Sequence, residues 1–150
     1  MILLKNTRAR HDYEIKNDLM AGVVLTGPEV KSLRLKNGSL KGSYVKIIGE
    51  EAWLINAQIN PYKYADNQDY DPKRSRKLLL TKKQIFNLLD IQNSTGFAII
   101  PLSFQLLDNK IKLKIGVGKG RKEYEKRKKL KERDLKRELA KSYKNKNLNF

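Results

Sequence analysis

Apolar and polar residues alternate with a period of two along most of residues 1–118, which is the pattern of half-buried β-strands. Strands are predicted within residues 11–25, 44–48, 53–59, 102–106 and 111–117. Gly49-Glu50 and Asp108-Asn109 supply turn residues, so the second and third segments and the fourth and fifth segments are predicted to form two hairpins. Pro61 ends the first hairpin, and Pro101 indicates an edge or a bulge in the second.

Two short segments carry helical signals instead. Pro28 suits the first position of a helix of about two turns, which Asn37-Gly38 is expected to end. Thr81 and Gln84 have the spacing of a capping box before a helix predicted at about 82–93. Five or six strands with two short helices predict a mainly β fold, a small antiparallel barrel of the partly open oligonucleotide-binding (OB) type. The periodicity does not distinguish it from an SH3-like barrel or an α+β sheet.

Charge divides the chain into two parts. The 150 residues include 33 Lys and Arg and 16 Asp and Glu, a net charge of +17. Residues 1–118 carry 19 basic and 11 acidic residues (+8), and residues 119–150 carry 14 and 5 (+9). We therefore predict a barrel over 1–118 and a basic tail over 119–150, with Leu135, Leu139 and Tyr143 forming a narrow apolar stripe. The tail is expected to be disordered when free or helical on a partner, unless it merely aids solubility.

Residue usage excludes several kinds of chemistry. The chain has no cysteine and a single histidine, His11, so no cofactor and no metal site is expected. The carboxylates are scattered singly, which favours solvated side chains over a catalytic pair and argues against an enzyme. Gly116–Gly120 lacks the GxxxxGK[ST] spacing of a phosphate-binding loop. With no long apolar run and no signal peptide, a cytoplasmic protein without a membrane partner is expected.

The excess of positive charge predicts a polyanionic partner, nucleic acid before an anionic membrane surface. Outside the tail, the positive charge is concentrated at Lys5, Arg8 and Arg10 and again within residues 73–77. Lys and Arg neutralise phosphates, while Asn6 and His11 beside the first cluster could read base edges or stack on bases. In Leu78-Leu79-Leu80 the three side chains cannot all face one side of a strand, so an exposed leucine could contact RNA.

A set of short motifs follows in a specific order and spacing. They are Asn6-x-x-Ala9, Ala21-Gly22-Val23-Val24-Leu25, Glu29-Val30-Lys31-Ser32-Leu33-Arg34, Ser43-Tyr44-Val45, Ile59-x-Pro61-Tyr62, Asp71-Pro72, Arg76-Lys77-Leu78-Leu79-Leu80, Lys112-x-Lys114-Ile115, Gly118-Lys119-Gly120 and Lys126-Arg127. Together they resemble the small protein B (SmpB) family over nearly the whole chain.

The resemblance implies an OB barrel that binds the tRNA-like domain of tmRNA near its elbow and supports its charging with alanine. The protein would then travel in a complex with alanyl-tmRNA and elongation factor Tu to ribosomes stalled without a codon in the A site. The barrel would replace the missing anticodon arm. The tail would pass the decoding centre and fold in the empty mRNA channel, against ribosomal RNA. A monomer that catalyses no bond change itself is expected.

The resemblance also assigns residues. It implies tmRNA contacts at Asn6 and Leu79 and at the barrel–tail junction; nearby basic residues and His11 add further candidates. The tmRNA-binding candidates are Asn6, Arg8, His11, Arg34, Arg76, Lys77, Leu79, Lys119, Gly120, Arg121 and Lys122. The candidates for ribosome binding in the tail are Tyr124, Glu125, Lys126, Arg127, Lys131, Arg133 and Leu135.

The sequence departs from the family pattern in places. Met20 stands where the family usually has a glutamate implicated in tmRNA binding, and Leu135 replaces an aromatic residue. Arg121 and Glu125 replace Lys and Asp and keep the charge. Two other readings of the chain remain: a structural ribosomal or RNA-chaperone OB protein, and a metal-dependent nuclease, which needs clustered carboxylates.

Overall fold

The computed structural model describes residues 1–121 and 123–148, with side chains described at 1–121, 127 and 130–141. The chain divides into two units, Met1–Gly120 and Arg121–Phe150. The strands of the described residues are β1 (Ile2–Lys5), β2 (Tyr13–Val23), β3 (Gly38–Ser39), β4 (Tyr44–Ile48), β5 (Glu51–Ile55), β6 (Gln58–Ile59), β7 (Arg76–Leu79), β8 (Phe97–Leu107) and β9 (Lys110–Gly120). The helices are α1 (Ala9–Asp12), α2 (Gly27–Arg34), α3 (Lys82–Gln92) and α4 (Glu123–Leu148). Lys119 and Gly120, which the sequence assigned to the tail, thus belong to the last strand.

Seven strands form one antiparallel sheet in the order β1-β8-β9-β2-β7-β5-β4. Strand β4 also contacts β8, so the sheet curls back towards its other end. Strands β3 and β6 form a separate two-stranded sheet. The predicted fold class, mainly β with short helices, is confirmed.

Turn chemistry explains both predicted hairpins. Gly49, at φ 63°, lies between β4 and β5. Asp108 and Asn109, at φ 49° and 61°, connect β8 to β9, and two successive left-handed residues are typical of the tight turn whose twist suits a hairpin. The register of β8 against β9 shifts between Pro101 and Ser103, which confirms the predicted bulge.

Two local expectations were wrong. The third predicted strand is broken after Ile55, because Asn56 has φ 64° and the chain then turns to pair with β3. Helix α2 ends at Arg34, and the left-handed residue after it is Lys36 (φ 58°), not Asn37-Gly38. Gly38 is required by close approach instead, since a Cβ there would lie 2.4 Å from the Gln58 carbonyl oxygen.

The core lies inside the curled sheet. Alternation along β9 buries Leu113 and Ile115 and leaves Lys112 and Lys114 on the opposite face. Helix α3 begins at the predicted capping box, where the Thr81 hydroxyl accepts from the Gln84 amide at 3.2 Å. In the part of the chain that the structure describes, no helix has both the length and the apolar character needed to cross a bilayer.

Candidate nucleic-acid interface

The side chains of β8, β9, β2 and β7 that point away from the core form one continuous surface. Directly opposed residues of antiparallel strands share a face. One row runs across all four strands: Gln105 lies opposite Lys112, Lys112 opposite Gly22, and Gly22 opposite Leu79. In the neighbouring row, Ser103 lies opposite Lys114, and Lys114 opposite Met20. We call these seven residues the outer face.

Leu79 is the apolar feature of the outer face. Its side chain is 56% exposed, whereas that of Leu78 is 2% exposed and belongs to the core. The prediction that one of the three leucines is exposed is therefore confirmed. Leu79 lies over Gly22, where an added Cβ would come within 3.1 Å of the Leu79 Cβ. The glycine thus leaves room for the leucine beside β2.

Asn6 lies where the chain turns from β1 into α1, at one edge of the outer face. A pocket of about 340 Å³ is lined by Asn6, Lys5 and Arg10 together with Ser103 and Lys114 of the outer face. The Asn6 Nδ2 donates to the Pro101 carbonyl at 2.9 Å and so holds this segment against β8. Asn6 and Leu79 are therefore connected by one surface that carries lysines.

A second pocket, of about 240 Å³, adjoins the first because both include Lys5 and Asn6. It also includes Arg8 and Lys41. All three basic side chains of this pocket are exposed. Asn6 is thus surrounded by cations on two sides, and Lys41 and Lys114 were missed as site residues by sequence reasoning. For Lys114, its alternation with buried Leu113 and Ile115 was an available signal.

The lysines near Leu79 have only weak partners. Lys114 Nζ lies 3.7 Å from Asp18 Oδ2, and Lys77 Nζ lies 3.5 Å from Glu51 Oε1. The acidic partners in both pairs are about half exposed, at 49% each. Exposed pairs of this kind contribute little, so both lysines can exchange their partner for a phosphate.

Arg76 does not belong to this surface, contrary to the prediction. Its side chain is fully buried, because β7 points it into the interior. There its Nε donates to Glu29 Oε2 at 2.8 Å, and its NH1 donates to the Ala57 carbonyl at 2.7 Å. The guanidinium is committed to the fold and cannot reach an RNA phosphate.

Glu29 is the centre of this buried network. Burial would raise the pKa of its carboxyl group, but hydrogen bonds from Arg74, Thr26 and Arg76 outweigh burial and lower the pKa from 4.5 to about 2. The Tyr70 hydroxyl lies 3.1 Å from Glu29 Oε2, and burial together with the carboxylate charge raises the pKa of Tyr70. The sequence predicted a solvated carboxylate at Glu29, because the side chains that bind it, Tyr70, Arg74 and Arg76, lie more than 40 residues away in the chain.

His11 is held by its own segment. Its Nδ1 lies 2.8 Å from Asp12 Oδ1, and its Nε2 is buried without a hydrogen-bond partner among the described residues. The side chain is 20% exposed. A direct contact of His11 with RNA stays a prediction, and the described conformation turns Nε2 away from solvent.

The other candidates are dispersed. Arg8 precedes α1, Arg34 is exposed at the end of α2, and Lys119 and Gly120 are exposed at the end of β9. Arg121 begins the second unit. Lys122 and the side chains of Tyr124, Glu125 and Lys126 lie outside the described residues. In the described part of the chain, no group of three or more His, Asp or Glu side chains is placed to hold a metal ion.

The second unit contains α4, which runs from Glu123 to Leu148. The side chains of residues 131–141 are all exposed, among them those of Lys131, Arg133 and Leu135. Arg127 is exposed as well. Leu135 and Leu139 are 57% and 61% exposed, one turn apart. The helix therefore presents a basic surface with a short apolar stripe.

Comparisons with known proteins agree on one family. A family model described as SmpB protein matches residues 3–145. The SsrA-binding protein of Lysinibacillus sphaericus (strain C3-41) is 44% identical over 97% of this chain and 94% of its own length, and that of Aquifex aeolicus (strain VF5) is 45% identical over 96% and 92%. A solved structure described as "tmRNA-SmpB: a journey to the center of the bacterial ribosome" contains a chain that is 37% identical, with a TM-score of 0.69 over 82% of this chain and 87% of that one.

Proposed function

Because the chain belongs to the SmpB protein family, we propose that it binds tmRNA and acts with it on the ribosome in trans-translation. The main structural support for this proposal is that the outer face connects Asn6 to Leu79 through Lys114 and Gly22. The two residues that the resemblance assigns to tmRNA binding are 73 positions apart in the chain, and the sheet brings them onto one surface.

Each part of this surface has a distinct role in the proposal. The lysines around Asn6 neutralise phosphates and release counterions, which supplies affinity without a choice of sequence. Leu79, which is more than half exposed, packs against a base or ribose that is open to contact. Shape-specific recognition requires both, because charge alone binds any RNA.

Met20 changes the charge of this surface. It is opposed to Lys114 in the sheet, so the family's usual glutamate would have stood beside that lysine. With Met20, the acidic partner of Lys114 is Asp18 at 3.7 Å. We infer that Lys114 takes part in phosphate binding here.

The second unit is proposed to contact the ribosome. Arg127, Lys131 and Arg133 lie on α4 and would meet ribosomal RNA beside the decoding centre and in the empty mRNA channel, with Leu135 in the apolar stripe. The barrel would stand in for an anticodon arm, and delivery would occur as a complex with alanyl-tmRNA and elongation factor Tu. The protein would act in the cytoplasm as a monomer, and the bond-forming step would be the ribosome's.

Competitive binding tests the RNA preference. The full chain is offered tmRNA, an elongator tRNA and an unrelated duplex at two salt concentrations. The proposal expects tmRNA to bind at least about tenfold more tightly, equal to about 1.4 kcal/mol, and to keep its advantage at the higher salt. If the three RNAs compete equally and lose affinity together, charge alone accounts for binding and the proposal fails.

Removal of residues 123–150, which keeps the tmRNA-binding candidates Arg121 and Lys122, separates the two proposed roles. The truncated chain retains the whole seven-stranded sheet, so it is expected to keep its preference for tmRNA and to lose tagging of stalled ribosomes. A structural RNA-binding protein would instead lose general RNA affinity without a separable activity. Loss of the tmRNA preference in a folded truncated chain would contradict our assignment of recognition to the barrel.

A further inference from the structure

The connecting loop, residues 60–75 between β6 and β7, presents two tyrosine rings together with lysines. The Tyr64 side chain is 79% exposed. The rings of Tyr62 and Tyr64 meet edge to face, with centroids 5.5 Å apart. Lys31 Nζ lies 5.5 Å from the centroid of Tyr62, and Lys63 Nζ lies 5.6 Å from the centroid of Tyr64. Exposed aromatic rings interleaved with cations are the composition of surfaces that bind unpaired nucleotides.

The loop holds these rings in place through its own hydrogen bonds. The Tyr62 carbonyl accepts from the Ala65 amide at 3.1 Å and from Asn67 Nδ2 at 2.9 Å. At the other end of the loop, Arg76 NH2 donates to the Pro72 carbonyl at 3.0 Å. Because both ends are tied, little ordering is needed when a ligand binds.

The charges around the rings suit an anionic ligand. Lys31 and Arg34 are three residues apart on α2, so they share a helix face, and both are exposed. Two of the three acidic residues of the loop accept from backbone amides: Asp66 from the Gln68 amide at 3.0 Å, and Asp71 from the Lys73 amide at 2.9 Å. The ammonium groups remain available for phosphates.

We propose that Tyr62 and Tyr64, with Lys31 and Lys63, form a second RNA-binding site that takes an unpaired base by stacking. The rings receive the base, and the lysines and Arg34 contact the flanking phosphates. A base inside a duplex is already stacked on its neighbours, so the site selects single-stranded or looped RNA. The site shares no residue with the outer face, and it rests on the proposed function only in that the protein's ligand is RNA.

The experiment uses the full chain and a single-stranded RNA of about 8 nucleotides that carries 2-aminopurine, whose fluorescence changes on stacking. Tyr64→Ala is expected to weaken binding at least about fivefold and to abolish the fluorescence change. Tyr64→Trp should retain both, since it keeps an aromatic face. Binding of a duplex of equal length should change less than about twofold for either variant, since a duplex relies on phosphate contacts.

Phe86→Ala is the matched control. Phe86 is 65% exposed on α3, and no cation lies over its ring among the described residues. Its loss should leave both readouts unchanged. The proposal is overturned if Tyr64→Ala binds the RNA like the wild type, or if Phe86→Ala loses as much affinity and fluorescence change as Tyr64→Ala.

The natural source of the base is identified by comparing how tightly Tyr64→Ala and the wild type bind tmRNA, and how tightly they bind the small ribosomal subunit. Weaker binding to one of them names the RNA that occupies the site, and undiminished binding to both overturns the proposal. Leu79→Ala distinguishes this result from failure of the proposed function. That variant should lose preference for tmRNA and keep the 2-aminopurine signal.

Discussion

Replacing Glu29 with glutamine keeps the shape of the side chain and removes its charge. In the wild type this carboxylate is 1% exposed and accepts hydrogen bonds from Arg74, Arg76 and the Thr26 amide. In Glu29→Gln the Arg76 guanidinium stays fully buried without a counter-charge. Removing one partner of a buried ion pair costs about 3–5 kcal/mol, so the free energy of unfolding at pH 7 should fall by that amount.

The same reasoning predicts how the loss depends on pH. The pKa of Glu29 is lowered from 4.5 to about 2 in the folded chain, and one pKa unit corresponds to about 1.36 kcal/mol, giving about 3 kcal/mol in all. A lowered folded-state pKa stabilises the protein above the unfolded-state pKa, and the contribution disappears as pH falls towards the folded-state value. About 2 kcal/mol of it should be gone by pH 3. Glu29→Gln lacks this dependence, so the difference in free energy of unfolding between the wild type and the variant should be about 2 kcal/mol smaller at pH 3 than at pH 7.

Urea unfolding at pH 7 and at pH 3, followed by the fluorescence of the single tryptophan, Trp53, measures both quantities. Glu51→Gln is the control, because Glu51 is 49% exposed and its pair with Lys77 spans 3.5 Å. It should cost less than about 1 kcal/mol, because an exposed ion pair of this kind contributes little to stability. A gap below about 1 kcal/mol for Glu29→Gln at pH 7, or a gap of equal size at pH 3, would refute our account of the buried network.

Three further substitutions test the surface and the sheet. Leu79→Ala should weaken tmRNA binding by about 1–3 kcal/mol at every salt concentration in a titration, because an apolar contact involves no counterions. Lys114→Gln should instead reduce the slope of log affinity against log salt by about one, and an unchanged slope would remove it from the phosphate contacts. Gly38→Ala places a Cβ 2.4 Å from the Gln58 carbonyl oxygen and should destabilise the fold by about 1–3 kcal/mol in thermal unfolding. Gly27→Ala, where a Cβ would have nothing within 4 Å, should not.

Local chemistry accounts for the parts of the fold that the sequence predicted. The Asp108-Asn109 turn, the Thr81 capping box and the alternation along β9 each depend on residues close together in the chain. The same holds for Leu79, since one of three successive leucines in a strand must point outward. For such features, neighbouring residues determine the conformation before tertiary contacts are considered.

Tertiary pairing accounts for what the sequence did not predict. Arg76 and Glu29 are 47 residues apart, and nothing local distinguishes a buried arginine from a phosphate-binding one. The break at Asn56 likewise depends on the short sheet formed by β3 and β6. Arg8 and Arg10 lie beside Asn6 in the chain, but the other cations around it come from β1, the segment after β3, and β9, so the complete cluster depends on the completed sheet.

The position of β9 in the sheet has a consequence for synthesis of the chain. It lies between β8 and β2 and pairs with both, so that Tyr13, made early, is opposed to Gly120. Translation delivers residues from the N-terminus, so β1 waits for β8, and until β9 is made β2 can pair only through Gly22 and Val23 with β7. A product cut short before residue 110 lacks β9 altogether and leaves the edges of β2 and β8 open. A message for this protein that is broken before codon 110 is therefore expected to yield a fragment that cannot complete the sheet.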